Sequence, residues 1–335
     1  MSAAASERVE RVLSLSEILG QDHVVAMLGQ ALARKTLHHA LLFVGPEGVG
    51  KRSAAIALAA RLLCERRGEE ACGSCAPCVQ VAAGTHPDFR RKTLPLDDKG
   101  APRERMLIEQ VRAVQLFLAG QALGGGSKIA IFEEAQALTE DAQNALLKIL
   151  EEPPRGSILI LVCHNGSRLL PTVRSRCQRV TFAPLARATV EKILRDRLQL
   201  SPDDARFLSA YSEGSVVLAA DVTRLREAHA RAADLLAACA GNYAEVVSAV
   251  REALSTPRGV PLELKMVLLL LRRQLRAQAG LEDVAELTPA GKTGTLVGAL
   301  HAAEAAYAAL VDFGRNANRA LAAERMALRI GASLS

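Results

Sequence analysis

The strongest constraint on the fold is a glycine-rich segment, GPEGVGK at Gly45–Lys51, which follows the apolar run Ala40–Val44. A buried strand, a glycine-rich turn and a helix in this order form a phosphate-binding loop, in which backbone N–H groups and the helix N-terminus face phosphate oxygens. The alternative is a strand–helix turn that binds no ligand. The residues expected to bind phosphate are Gly45, Gly48, Gly50 and Lys51.

Two more apolar runs, at Lys128–Phe132 and Ser157–Val162, alternate with helical patterns along the chain. Strands that alternate with helices predict an α/β fold, with a parallel sheet covered by helices on both faces. A further short strand is expected at Gln178–Phe182. The segment His86–Arg103 is polar and contains three prolines. It is therefore predicted to be a loop or an insertion. For Arg90–Lys92 a solvated loop is favoured, and contact with a phosphate backbone is the alternative.

The length of 335 residues exceeds what one ordinary hydrophobic core organises, so two or three domains are expected. The strand signal ends after Pro184, and Ala- and Leu-rich helical patterns follow. We predict an α/β domain over residues 1–183, a small helical lid over 184–227 and an all-α C-terminal domain over 228–335.

The formal net charge is +6 and the isoelectric point is near 9.1. This mildly basic balance permits contact with nucleic acid without requiring it. No stretch matches the ~20-residue apolar run of a membrane span, and the first residues mix charges into every turn instead of forming the apolar core of a secretory signal. A cytoplasmic protein with no membrane partner is expected.

The loop lacks a group that ATP hydrolysis needs. Arg52 follows Lys51, where P-loop enzymes carry a Ser or Thr whose hydroxyl holds Mg²⁺. The acidic pair after the second apolar run is Glu133-Glu134 instead of the usual Asp-Glu, and Glu133 is one methylene too long for the same metal contact. Glu134 is able to orient a water, and a solvated strand end is the alternative for the pair. Nucleotide binding is therefore expected to be weak or vestigial.

Four of the seven cysteines crowd into one short stretch, with the spacing C-x7-C-x2-C-x2-C. Four soft thiolate ligands with no open position suit a structural, tetrahedral Zn²⁺. Reduced cysteines without a ligand are the alternative, and an iron–sulfur cluster is a remoter one because the spacing differs from ferredoxin runs. The proposed metal ligands are Cys64, Cys72, Cys75 and Cys78.

Several segments in this order resemble one known family. They are NALLKILEEPP at Asn144–Pro154, SRC at Ser175–Cys177, HPDF at His86–Phe89 and the long stretch Leu19–Lys51 around the phosphate loop. Together they resemble bacterial DNA polymerase III clamp-loader subunits of the AAA+ class. The resemblance is dense over about residues 15–182. It implies an AAA+ P-loop domain with a helical lid, a C-terminal collar domain whose last helix includes Asn316–Glu324, and zinc at the four cysteines.

The family contains motor subunits (gamma/tau) that hydrolyse ATP and a non-hydrolysing type with a degraded nucleotide site. The chain departs from the motor pattern at Arg52 and Glu133. It also departs at Cys163-His164, where the motor has a sensor threonine, and at Gly214–Val217, where a second-sensor arginine is expected. The resemblance therefore implies a stator-like subunit of the DNA polymerase III holoenzyme. It would assemble with gamma/tau and delta to load the beta sliding clamp onto primed DNA.

In this type of ring ATPase an arginine at the subunit edge enters the neighbour's ATP site, and the resemblance assigns that role to Arg176 of the SRC triplet. The alternative is a surface arginine in a salt bridge, and Arg174 is a less favoured substitute. Two other functions stay open at this point: an active gamma/tau-like motor with an unusual site, and a zinc-stabilised nucleic-acid adaptor unrelated to clamp loading. His38-His39 have no ligand partner at suitable spacing, so a structural role is expected for them.

Overall fold

The structure is a computed structural model. It describes residues 12–217 except 98–99, 101–102 and 124–125, and then residues 222–239, 245, 247–250, 262–280, 295–314 and 319–334. The described residues divide into two compact units. One holds those within Met1–Leu200 and Ser212–Leu218, and the other holds those within Ser201–Tyr211 and Ala219–Ser335. The three-domain division stays a prediction.

The first unit is built on a five-stranded parallel sheet with the order β2-β3-β4-β1-β5. The strands are β1 (Ala40–Val44), β2 (Phe89–Lys92), β3 (Lys128–Phe132), β4 (Ser157–Cys163) and β5 (Gln178–Thr181). The helices are α1 (Asp22–Ala33), α2 (Lys51–Leu63), α3 (Ala76–Ala83), α4 (Ile108–Ala119), α5 (Glu140–Glu151), α6 (Pro171–Arg174) and α7 (Arg187–Leu198). This architecture confirms the predicted AAA+ P-loop domain.

The central strands are buried on both faces, which is why their sequences read as continuous apolar runs rather than alternating ones. Every residue of β1 and of β4 is buried. On one face, alternate strand residues such as Leu42, Phe132 and Leu161 join the core formed with α4 and α5. On the other face α2 contacts β4. The sheet is therefore covered as the pattern of strands and helices predicted.

One expectation is wrong at the sheet edge. Phe89–Lys92 was predicted to be a solvated loop, but it pairs in parallel with β3 as strand β2. The predicting pattern was misleading because only Phe89 of this strand is fully buried, while Arg90 is exposed and Arg91 and Lys92 are half-buried. Charged residues are tolerated and even favoured on edge strands, since they discourage further pairing.

Helix α5 is capped at its first turn by a side chain. The Thr139 hydroxyl accepts a hydrogen bond from the backbone N–H of Ala142 at 3.4 Å, and Glu140 and Asp141 stand in the first turn. Acidic residues at this end are stabilised by the helix dipole. The helix ends at Glu151, two residues before Pro153-Pro154, which cannot continue it.

The second unit is helical in its described residues, as predicted for the C-terminal region. Its helices are α8 (Pro202–Tyr211), α9 (Val222–Ala238), α10 (Leu262–Gln278), α11 (Leu296–Gly314) and α12 (Arg319–Leu334). α8 joins α9 through an ion pair between Asp204 and Arg226 at 2.6 Å and a 2.8 Å hydrogen bond between the Tyr211 hydroxyl and His229 Nε2. Of the predicted last collar helix, residues 316–318 lie outside the described residues. No helix in the described part of the chain is long and apolar enough to cross a membrane.

Candidate functional site

The phosphate loop follows the carboxyl end of β1 and leads directly into α2. Gly48 and Gly50 have φ angles of 72° and 97°, and Gly50 is the N-cap of α2. These left-handed conformations are costly for residues with a Cβ, so glycine is required at both positions. The loop therefore has the backbone conformation and the helix N-terminus on which phosphate binding depends.

Lys51 is turned inward onto its own loop. It is buried, and its Nζ donates to the carbonyl oxygen of Gly45 at 2.7 Å and also to that of Pro46. Burial lowers the pKa of Lys51, while Cys163 and Glu47 act in the opposite direction. The ammonium that would contact a phosphate is thus occupied by backbone carbonyls.

Two arginines surround the acidic residue that follows β3. The carboxylate of Glu133 is buried, and its Oε1 lies 3.2 Å from Arg52 Nε and 3.4 Å from Arg91 Nε. A buried carboxylate needs a cation to compensate its lost hydration. Two guanidinium groups supply that charge here, whereas a P-loop ATPase uses Mg²⁺ between a hydroxyl and an acidic side chain.

The remaining predicted nucleotide-site residues are placed less favourably for catalysis. Glu134, with a φ of 52°, is exposed to solvent. Cys163 ends β4 and is buried, and burial raises the pKa of its thiol. The adjoining His164 is exposed, and its backbone N–H donates to Gln136 Oε1 at 3.4 Å. The thiol at Cys163 therefore stays neutral and is a poor hydrogen-bond donor.

The segment Ser212–Val217 packs directly on the tip of the phosphate loop. The backbone N–H of Val216 donates to the carbonyl oxygen of Gly48 at 3.0 Å. A Cβ at Gly48 would stand 2.2 Å from Ser215 Oγ, so the close approach also requires glycine. This is the segment in which a motor would carry its second-sensor arginine, and a buried serine occupies it instead.

Gln21 links the phosphate loop to the segment that follows the carboxyl end of β5. This residue was not identified from the sequence. It is fully buried, and its Nε2 donates to the carbonyl oxygens of Val49 at 3.3 Å and Ala183 at 2.7 Å. The Ala183 N–H returns a hydrogen bond to Gln21 Oε1 at 3.1 Å. The sequence did not indicate that Gln21 is buried, because a glutamine just before a helix is most often exposed.

Arg176 lies at the opposite end of the sheet from the loop. It precedes β5 by two residues, and β5 pairs with β1 from Leu41↔Gln178 to Val44↔Thr181, so Arg176 stands before the amino ends of the strands. The phosphate loop follows Val44 at their carboxyl ends. Since the four residues of β5 alone span roughly 13 Å, the Arg176 side chain does not reach the phosphate loop of its own chain.

The Arg176 guanidinium is held by two acceptors. Nη2 lies 2.7 Å from Glu151 Oε1, and Nη1 donates to the carbonyl oxygen of Thr172 at 3.1 Å. The side chain is 38% exposed and lines an open cleft of about 530 Å³. His38 and His39 also line this cleft. A charged fork facing an open cleft is suited to binding an anionic group that arrives from outside the chain.

The four clustered cysteines are brought together as predicted. Their sulfur atoms all lie within 4.8 Å of one another, with separations of 3.9 Å between Cys64 and Cys75 and 4.0 Å between Cys72 and Cys78. Tetrahedral Zn²⁺ with Zn–S bonds of about 2.3 Å sets sulfurs roughly 3.8 Å apart. All seven cysteines are free thiols. The cluster is therefore able to bind a metal, and its geometry is compatible with structural zinc.

The backbone around Cys72 favours the thiolate form of this one cysteine of the cluster. The backbone N–H groups of Ser74 and Cys75 lower the pKa of Cys72 to about 6, and the Cys75 N–H lies 3.3 Å from the Cys72 sulfur. Burial raises the pKa of Cys78. The cluster is tied to the start of the chain through Glu70, whose carboxylate accepts from the N–H groups of Leu15 and Ser16 at 3.0 and 3.1 Å.

Comparison with known proteins shows that the chain is similar to subunits of DNA polymerase III. Residues 20–186, about half of the chain, match the family described as DNA polymerase III, delta subunit. The chain is 40% identical over 196 residues to DNA polymerase III subunit delta' of Pseudomonas aeruginosa, which is 58% of each chain. It is 32% identical over 222 residues to DNA polymerase III subunit tau of Bacillus subtilis, which is 64% of this chain and 38% of that one.

The matches cover less than two thirds of the length of these relatives. Among solved structures, the chain is similar to the RuvB Holliday junction branch migration motor of Thermotoga maritima, with 15% identity and a TM-score of 0.44. The alignment covers 84% of this chain and 89% of the RuvB chain. The fold assignment therefore rests on the strand order and on the family match.

Proposed function

The chain belongs to the family of DNA polymerase III delta-prime subunits, and on that premise we propose that it is a non-hydrolysing, stator-like subunit of the clamp loader. It supplies Arg176 to the ATP site of a neighbouring gamma/tau subunit. Through that assembly it helps to load the beta sliding clamp onto primed DNA in replication.

The ion pair between Arg52 and Glu133 is the main support for this proposal. In a working P-loop site the equivalent side chains are a hydroxyl and an acidic group that share Mg²⁺. Here the acidic group is already compensated by Arg52 and Arg91. A divalent cation entering this place would meet two positive charges and would have to compete for a buried carboxylate, so the motor function is disfavoured.

The placement of Arg176 supports the second half of the proposal. An arginine at the amino ends of the strands is separated from its own phosphate loop by the length of the sheet. It faces a cleft open to solvent. An arginine supplied in trans stabilises the charge of the transferring phosphoryl group and is worth about 10³–10⁵ in rate where it has been measured.

We also assign roles to the lid, the collar, the nucleotide site and the cysteine cluster. Residues 184–227 form the helical lid, and residues 228–335 form the collar that joins gamma/tau and delta. Gly45, Gly48, Gly50, Lys51, Glu133 and Glu134 form a vestigial nucleotide site. Cys64, Cys72, Cys75 and Cys78 hold a structural Zn²⁺, which their sulfur separations support. The protein works in the cytoplasm.

The test has two arms, one on the isolated chain and one on the loader reconstituted with gamma/tau and delta. The isolated chain is expected to show no Mg·ATP turnover, and tight Mg·ATP binding with Lys51-dependent hydrolysis would establish the motor function instead. In the loader, Arg176→Ala is expected to leave assembly intact and to lower DNA-stimulated ATP turnover and clamp loading. Unchanged turnover in that variant would exclude the role of Arg176.

The metal is tested separately by elemental analysis of protein purified without chelators. One equivalent of zinc is expected, and Cys72→Ser should lower it. Less than about half an equivalent in the unaltered protein would count against the four-thiolate site.

A further inference from the structure

Glu151, the last residue of α5, holds Arg176 in a fixed position. Its Oε1 lies 2.7 Å from Arg176 Nη2, while Nη1 of the same guanidinium donates to the carbonyl oxygen of Thr172 at 3.1 Å. The two acceptors come from different helices, α5 and α6. Because the acceptors bind two different nitrogens, they restrain the orientation of the guanidinium plane.

Glu151 lies in a part of α5 whose position is restrained by neighbouring residues. Pro153-Pro154 end the helix just after Glu151. The carbonyl oxygen of Leu150 accepts a 3.0 Å hydrogen bond from His39 Nε2, which ties the last turn of α5 to the residue before β1. Because β1 is buried throughout, this hydrogen bond anchors the end of α5, and with it Glu151, to an interior strand of the sheet.

Fixing an arginine matters for a group that must meet a phosphate across a subunit boundary. A flexible arginine side chain loses rotamer entropy when it binds. A side chain already held at two nitrogens loses less of it, and its remaining N–H groups stay available to a second acceptor. The arrangement therefore offers preorganisation without blocking the fork.

We propose that Glu151 is a positioning residue for Arg176, holding the guanidinium over the cleft so that it meets the phosphoryl group of a neighbouring ATP. The inference rests on the proposed in-trans role of Arg176 and assigns a further residue to it. Glu151 does not touch the nucleotide, and its effect is exerted through Arg176.

Glu151→Ala is the test, in the loader reconstituted with gamma/tau and delta. The quantity measured is the Arg176-dependent ATP turnover, which is the difference between the unaltered loader and the Arg176→Ala loader. Since exposed ion pairs contribute roughly 0–1 kcal/mol, Glu151→Ala should retain about one third of that turnover. The loss should fall on kcat, with KM for ATP changing less than about twofold, because the arginine acts in the transition state.

Two variants separate positioning from a general structural effect. Glu151→Gln keeps an oxygen that accepts a hydrogen bond and should recover part of the loss. Glu152→Ala removes the neighbouring exposed carboxylate, which forms no ion pair in the described part of the chain, and should change nothing. Melting temperatures of the isolated variants should agree within a few degrees.

A double substitution distinguishes failure of the inference from failure of the proposed function. In the Arg176→Ala background, Glu151→Ala should have no further effect on turnover. An additional loss in that background, or unchanged or raised turnover in Glu151→Ala alone, would overturn the positioning role and leave Arg176 in place. No effect of Arg176→Ala itself would instead refute the proposed function.

Discussion

The two ends of the parallel sheet handle positive charge in opposite ways. At the carboxyl ends, Lys51 is bound by carbonyl oxygens of its own loop and Arg52 is paired with the buried Glu133. At the amino ends, Arg176 is paired with the half-exposed Glu151 and lines an open cleft. Separating Arg52 from Glu133 would leave a buried carboxylate without its cation, whereas both members of the Arg176–Glu151 pair are partly exposed and the guanidinium keeps N–H groups for a further acceptor. The cations at the first end are therefore engaged by groups of their own chain, whereas the arginine at the second end remains accessible from solvent.

Removing one cation from each end of the sheet should have very different effects. In the reconstituted loader, Arg176→Ala should lower the rate at the ATP site it reaches by about 10³. Lys51→Ala should change loader turnover less than about twofold, because its ammonium is engaged by the loop. Steady-state ATP turnover with primed DNA measures both. A larger loss for Lys51→Ala than for Arg176→Ala would reverse the assignment of the two ends.

Removal of the proposed zinc should affect only the end of the sheet that carries the phosphate loop. α2 starts at the phosphate loop and ends next to Cys64, and Glu70 ties the cluster to Leu15 and Ser16. We expect chelation or Cys78→Ser to lower the unfolding free energy by about 2 kcal/mol or more, as metal binding is coupled to folding.

Hydrogen exchange locates that effect. It should speed up at residues 12–18 and in α2, while α6 and β5 stay protected. Cys177→Ser, outside the cluster, is the matched control. Equal loss of protection at both ends of the sheet would show that the metal supports the whole unit instead.

Restoring a metal site should make the loop end resemble a motor. In the double variant Arg52→Thr with Glu133→Asp, a hydroxyl and a shorter carboxylate replace the ion pair. Mg·ATP affinity of the isolated chain should rise about tenfold, which corresponds to about 1.4 kcal/mol. Isothermal titration measures it, and Arg52→Lys with Glu133→Asp, which retains the positive charge, is the control. An equal gain in that control would mean that charge at this position does not exclude the metal.

The smallest expected effect is the pH dependence contributed by Lys51. Burial holds its folded-state pKa below the ordinary value of 10.5, so between the two values the unfolded chain binds more protons than the folded one. The unfolding free energy should therefore rise with pH through that window. The raised pKa of Cys163 acts in the opposite sense and is influenced by Lys51, so Lys51→Met and its reference protein both carry Cys163→Ala. Denaturant unfolding at a series of alkaline pH values should show a smaller rise for Lys51→Met.

The sheet and the two sites could be predicted to very different extents from the sequence. β1, β3 and β4 were predictable because strands buried on both faces produce continuous apolar runs. β2 was not, since only Phe89 of that edge strand is fully buried and its other residues are charged. The four cysteines were predictable because their spacing alone brings the sulfurs together.

Residue types indicated which side chains matter at the sites but not their partners. Arg52 and Glu133 were each read as a defect, yet the ion pair between them depends on α2 and β3 being brought together by the fold, more than eighty positions apart in sequence. Arg91 joined them only because the segment misread as a loop is a strand. Glu151 lies in the LEEPP motif, but its contact with Arg176 follows from the packing of α5 beside α6.

The chain passes between its two units three times, after Leu200, Tyr211 and Leu218. α8 belongs with α9, to which Tyr211 is hydrogen-bonded, while the next residues return to cover the phosphate loop. Neither unit is thus a single uninterrupted stretch of the gene. A crossover between genes for related subunits, placed anywhere from residue 201 to 218, would separate parts that pack together. Either residues 212–217 would come from a different parent than the phosphate loop they cover, or α8 would come from a different parent than α9. The phosphate loop and these helices are therefore expected to be inherited together.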